Sequence, residues 1–126
     1  MKKTRILVVD DESSLTRQLK RQLEGTERFE VWTENSGRGA LAAAGQFRPE
    51  VVLLDVMMPD MDGGEVKFRL EQMPELADTV FIYLTALYNG DHNDKGIFLA
   101  KPVELERILE CIDRHLGRRR HTQLNA

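Results

Sequence analysis

Four continuous apolar runs, at residues 6–9 (ILVV), 51–54 (VVLL), 80–84 (VFIYL) and 97–100 (IFLA), constrain the fold of this chain more than any other feature. Runs of this length without polar alternation suit strands covered on both faces. Helical periods lie between and after them. Leu15, Leu19 and Leu23 recur every fourth residue, and Leu105, Ile108, Leu109, Ile112 and Leu116 make one apolar stripe. The segment FEVWTE is different: Phe29, Val31 and Thr33 alternate with Glu30, Trp32 and Glu34, which predicts a half-exposed strand at a sheet edge. Ser36 can cap a small-residue helix through GRGALAAAGQF that stops before Pro49, and GGEVKFRLEQM supplies another between Gly63 and Pro74. Strand and helix therefore alternate, which predicts a parallel sheet with helices on both faces.

The chain has 126 residues, 41% hydrophobic and 31% charged, enough for one domain with its own core. A net charge of −3 gives no general attraction to nucleic acid or to an anionic membrane. The lone Cys111 cannot form an internal disulfide and is expected to be buried, and MKKTRILVVDDE is too short an apolar run for a signal peptide or a membrane span. The expectation is a cytoplasmic protein with no direct nucleic-acid binding and no membrane contact.

Polar residues end each apolar run: Asp10, Asp11 and Glu12 after the first, Asp55 after the second, Thr85 after the third and Lys101 after the fourth. In an open parallel sheet the carboxyl ends of the strands form the ligand crevice, so these scattered residues should converge. Carboxylates brought together repel unless a cation offsets them. Mg²⁺, with Mn²⁺ as a substitute, suits such a crevice because it takes oxygen ligands. Asp55 could then act as a nucleophile toward phosphorus, with Thr85 and Lys101 binding the phosphoryl oxygens. Each residue also has a plainer role: acids favour a helix N-terminus, and Pro102 near the first helical position, followed by Glu104 and Glu106, starts the last helix well. His92, His115 and His121 show no metal-ligand spacing, and no G-x-x-x-x-G-K-[ST] motif is present. A phosphatase of the haloacid dehalogenase type would need a second Asp two residues after Asp55, where Met57 stands.

ILVVDDE, VVLLDVMMPDMDGGE, YLTAL and FLAKPV resemble the four signature blocks of the receiver domains of two-component response regulators, in the family order over residues 6–103. The resemblance implies a flavodoxin-like three-layer α/β sandwich, its five-stranded parallel sheet in the order 2-1-3-4-5. It covers residues 1–116 and leaves 117–126 as a basic tail, with the last helix ending near Gly117. It makes Asp55 the phosphoacceptor and Asp10 and Asp11 the acidic metal pair. Met57 supplies a backbone carbonyl to Mg²⁺. Thr85 becomes the switch hydroxyl, Phe98 the aromatic switch residue, Ala86 the small residue beside the phosphate, Lys101 the phosphate-binding lysine, and Lys101-Pro102 a cis bond. The implied function is transfer of a phosphoryl group from a sensor histidine kinase or phosphotransfer protein to Asp55, with a conformational change read by a downstream protein. Such a domain catalyses only its own phosphorylation and slow dephosphorylation, so it is a signalling acceptor and not an enzyme of other substrates. The rival is a degenerate receiver that binds a partner unphosphorylated. Met57 and Leu87, at the positions flanking the site, are both apolar and predict a long-lived phosphoryl state.

The stretch LTALYNGDHNDKGIFLAKPV fits neither pattern. Asp91, Asn93 and Gly96 match the first, third and sixth positions of a calcium loop, but Lys95 and Pro102 stand where further ligands are needed. In the family this interval holds the fourth helix, and here it is shorter by about one to two turns. With Asn-Gly and Lys-Gly inside it, a loop or at most one helical turn is expected, and the fourth helix is truncated or absent.

Overall fold

The computed structural model describes residues 2–86, 92–93 and 96–124. In chain order the elements are β1 (Thr4–Val9), α1 (Ser13–Gly25), β2 (Phe29–Glu34), α2 (Gly37–Phe47), β3 (Val51–Asp55), α3 (Gly63–Glu71), a 3-10 turn (Pro74–Leu76), β4 (Val80–Thr85), β5 (His92–Asn93), β6 (Gly96–Ala100) and α4 (Leu105–Leu124). All four apolar runs are strands, and FEVWTE is the edge strand β2. The sheet order is β2-β1-β3-β4-β6-β5. Its first five strands are parallel, the expected 2-1-3-4-5 arrangement with β6 as the fifth parallel strand.

The continuous apolar runs feed two cores because neighbouring strand residues point to opposite faces. Ile6, Val8, Leu53, Ile82 and Leu84 pack with Leu19 and Leu23 of α1 and with Ile108 and Ile112 of α4. Leu7, Val9, Val52, Leu54, Phe81 and Tyr83 pack with Ala40 and Ala44 of α2 and with Val66 and Leu70 of α3. Cys111 is buried in the α1/α4 core, as expected. At the edge, Phe29 and Val31 are buried while Glu30 and Trp32 are exposed. Ser36 caps α2 as read, its Oγ accepting from Gly39 N at 2.9 Å, and Arg48 closes that helix in a left-handed conformation just before Pro49.

Among the described residues no helix lies between β4 and β6, in keeping with the expected loss of the fourth helix. Three features differ from the sequence expectations. His92–Asn93 adds an antiparallel strand to the far edge of the sheet. Two residues are too few to show a strand period, so this pairing left no trace in the sequence. Residues 87–91 and 94–95, including Leu87, Asp91 and Lys95, lie outside the described residues. The last helix runs through Gly117 to Leu124. Gly117 does not adopt the left-handed conformation that closes a helix, and a glycine inside a helix costs only about 1 kcal/mol, which neighbouring helix formers outweigh. Finally, Glu104 O accepts from Arg107 N and Ile108 N, so Pro102 stands ahead of the first turn instead of on it. Among the described residues no helix is long and apolar enough to cross a membrane.

Candidate acidic site at the strand ends

Parallel register brings the ends of β1, β3, β4 and β6 to one edge. There Asp10, Asp11 and Asp55 each place a carboxylate oxygen within 4.8 Å of the others. Asp10 and Asp55 are buried, at 1% and 6% exposure, and Asp11 is exposed. Lys101 enters from the end of β6, where its N–H donates to Thr85 O at 2.8 Å. Its Nζ lies 2.6 Å from Asp10 Oδ2 and 3.4 Å from Asp55 Oδ1. The Lys101-Pro102 bond is cis.

The two buried acids are not equivalent. Asp10 accepts two short hydrogen bonds, from Lys101 and from Glu12 N at 2.9 Å. Asp55 accepts from Lys101 and from Met57 N, both at 3.4 Å. Long bonds hold a carboxylate weakly, so of the two buried acids Asp55 is the less tightly held. Burial and the Asp10 charge push the Asp55 carboxyl above its ordinary value, against the pull of Lys101. Burial acts against the Lys101 ammonium, yet the hydrogen bond and charge of Asp10, joined by Asp55, outweigh it and raise its pKa. A further cation would relieve the remaining carboxylate repulsion. The donor set is all oxygen and fits a hard divalent ion; about 2.1 Å bonds in an octahedron put ligand oxygens roughly 3–4.2 Å apart, slightly inside the span observed.

The remaining candidates divide. Thr85 is buried at the end of β4, in register with Ala100, and Ala86 beside it is exposed. Met57 is 69% exposed, and its backbone N–H is the group that reaches Asp55. Phe98 sits one strand away, stacked on Tyr83 with ring centroids 5.0 Å apart. Sequence reasoning missed Tyr83 as its partner, and it missed Gly63, whose N–H donates to Val56 O at 2.8 Å. A Cβ at Gly63 would stand 2.5 Å from Asp55 O, a backbone atom that cannot step aside. Gly63→Ala is therefore expected to cost about 1–3 kcal/mol, read from the denaturant midpoint, by pushing the backbone that carries Asp55.

A parallel sheet in this order, with three acids and Lys101 at its carboxyl ends, defines a protein of flavodoxin-like fold. Residues 6–113 match the response regulator receiver domain, and the chain belongs to that family. It is 39% identical over 106 residues to the response regulator PleD of Caulobacter vibrioides, covering 79% of this chain and 23% of that protein. It is 30% identical over 130 residues to the transcriptional regulatory protein TrcR of Mycobacterium tuberculosis, covering 97% of this chain and 49% of that one. The chain thus spans from about a quarter to a half of these relatives. Among solved structures, the chemotaxis protein CheY4 of Vibrio cholerae superposes with a TM-score of 0.83 at 28% identity, covering 90% of this chain and 99% of that one.

Proposed function

We propose that this receiver domain accepts a phosphoryl group on Asp55 from a sensor histidine kinase or phosphotransfer protein and hands the resulting change of shape to a downstream protein. The observation that carries this reading is the convergence of Asp10, Asp11 and Asp55 within 4.8 Å, with Lys101 bridging the two buried acids. In the transfer, an Asp55 carboxylate oxygen forms a bond to phosphorus as the phosphorus–nitrogen bond of phosphohistidine breaks, and the departing imidazole takes up a proton. Asp10, Asp11, Asp55 and the Met57 carbonyl would hold Mg²⁺ or Mn²⁺, which when bound neutralises charge on the carboxylates and on the transferring group.

The chain's own residues do the rest. Once Asp10 has another cation, Lys101 is free to leave it, and the phosphoryl oxygens next to Asp55 are the nearest new acceptors. The Thr85 hydroxyl turns to those oxygens, beside exposed Ala86, which leaves room for them. Phe98 then follows and gives up its stack on Tyr83, worth about 0.5–1.5 kcal/mol, so the switch is balanced on a small energy. No other substrate is implied: the domain catalyses only the gain and slow loss of its own phosphoryl group.

The test is incubation with Mg²⁺ and acetyl phosphate or phosphoramidate, followed by intact-protein mass measurement. A single phosphoryl adduct that chelator prevents is expected; absence of any adduct overturns the proposal. Apolar Met57 and Leu87 supply no hydrogen bond to orient a hydrolytic water, so the adduct should persist. Leu87→Glu is expected to shorten its half-life about tenfold, and an unchanged half-life would count against the idea.

A further inference from the structure

The turn that leads into α2 touches both loops of the acidic site. Asn35 Nδ2 donates to Asp10 O at 2.8 Å and to Thr16 Oγ1 at 3.1 Å. Two residues later, Gly37 N donates to Asp60 Oδ1 and Arg38 N to Asp60 Oδ2, both at 3.0 Å. Asp60 belongs to the loop that begins at Asp55 and ends at the start of α3. With Gly39 N on Ser36 Oγ, the first three amides of α2 are all satisfied, two of them by a residue from this other loop. The fit is close: a Cβ on Gly37 would stand 2.7 Å from Met61 Cβ.

Helix capping by itself does not require this arrangement, since a local side chain such as Ser36 already serves that purpose. The result of reaching to Asp60 is that residues 35–38 join the backbone of Asp10 to the loop of Asp55. We infer that Asn35 and Asp60 are positioning residues for the phosphoryl-transfer site, acting through this turn to set the spacing between Asp10 and Asp55. The inference rests on the function proposed above. Neither side chain touches the crevice as a ligand: Asn35 holds the Asp10 carbonyl while the Asp10 carboxylate faces Lys101, and both oxygens of Asp60 are taken by α2. The link works in series, so breaking either end releases both loops from one another.

Asn35→Ala, Asp60→Ala and the double variant test it, with Mg²⁺ affinity measured by calorimetry well below each melting temperature. Each single change is expected to weaken Mg²⁺ binding about tenfold, the effect of losing a residue that orients a ligand. The double variant should lose no more than the weaker-binding single, because a link in series is broken once. Asp60→Asn keeps one acceptor for the α2 amides and should recover part of the loss. In metal-free protein, Asp60→Ala should also speed amide exchange at Gly37 and Arg38. Faster exchange at those amides with unchanged Mg²⁺ affinity would show that Asp60 only caps α2 and would overturn the inference. Wild type that binds no Mg²⁺ would sink the proposed function with it, whereas normal wild-type binding and unaltered variants would sink the link alone.

Discussion

Asp55→Asn is expected to take up no phosphoryl group from any donor while melting a few degrees above the wild type in chelator at neutral pH. The loss is complete because the amide oxygen is a poor nucleophile and the other buried carboxylate, Asp10, already accepts two short bonds. The gain follows from electrostatics. Burial and the Asp10 charge raise the Asp55 pKa, so its ionisation opposes folding. At pH below the ordinary carboxylate value of 3.8 the group is neutral in both folded and unfolded chains and the penalty is absent. The penalty grows as pH rises through the elevated folded value. The melting advantage of the variant should therefore be present at neutral pH and vanish in acid; an advantage that persists in strong acid would contradict it.

Lys101→Met should move stability the opposite way and still disable the site. It removes the ammonium from 2.6 Å of a carboxylate whose side chain is 1% exposed. Stranding one buried partner costs about 3–5 kcal/mol, and the 20% exposure of Lys101 puts the expected loss at or below about 3 kcal/mol. Phosphoryl uptake should slow about a hundredfold, as for loss of one donor to developing charge. The stability loss belongs to the neutral range. It shrinks in acid, where protonated carboxyls need no partner. Because the Lys101 pKa is raised, the wild type keeps this stabilisation below the ordinary lysine value of 10.5 and loses it only as pH climbs through the elevated one. Urea titrations across pH check both ends, and equal stability of variant and wild type at neutral pH would contradict the prediction.

Most of the frame was legible because burial on two faces demands apolar residues in succession. Residues 6–9 and 51–54 could be read as inner strands for that reason, and Phe29 and Val31 could be read as the inner side of an edge strand. The polar residues after those runs were legible as site candidates because a strand end has a known direction in a parallel sheet. What escaped was of two kinds. Short or weakly signalled backbone events, such as the two-residue β5 and the continuation of α4 past Gly117, carry too little pattern to compete with local turn signals. Side-chain bonds across the chain, such as Asn35 to Asp10 and Asp60 to the start of α2, follow from packing that has no period at all.

The sequence alone determined which segments become inner strands and which residues stand at their carboxyl ends, since both follow from local hydrophobicity and the two-residue period of a strand. Only the tertiary structure decided that Lys101 binds Asp10 more closely than Asp55, across 91 and 46 residues of chain. It likewise decided that the turn before α2 spans both acidic loops. Those outcomes depend on strand register and helix placement to within an ångström, a scale set when the whole sheet packs.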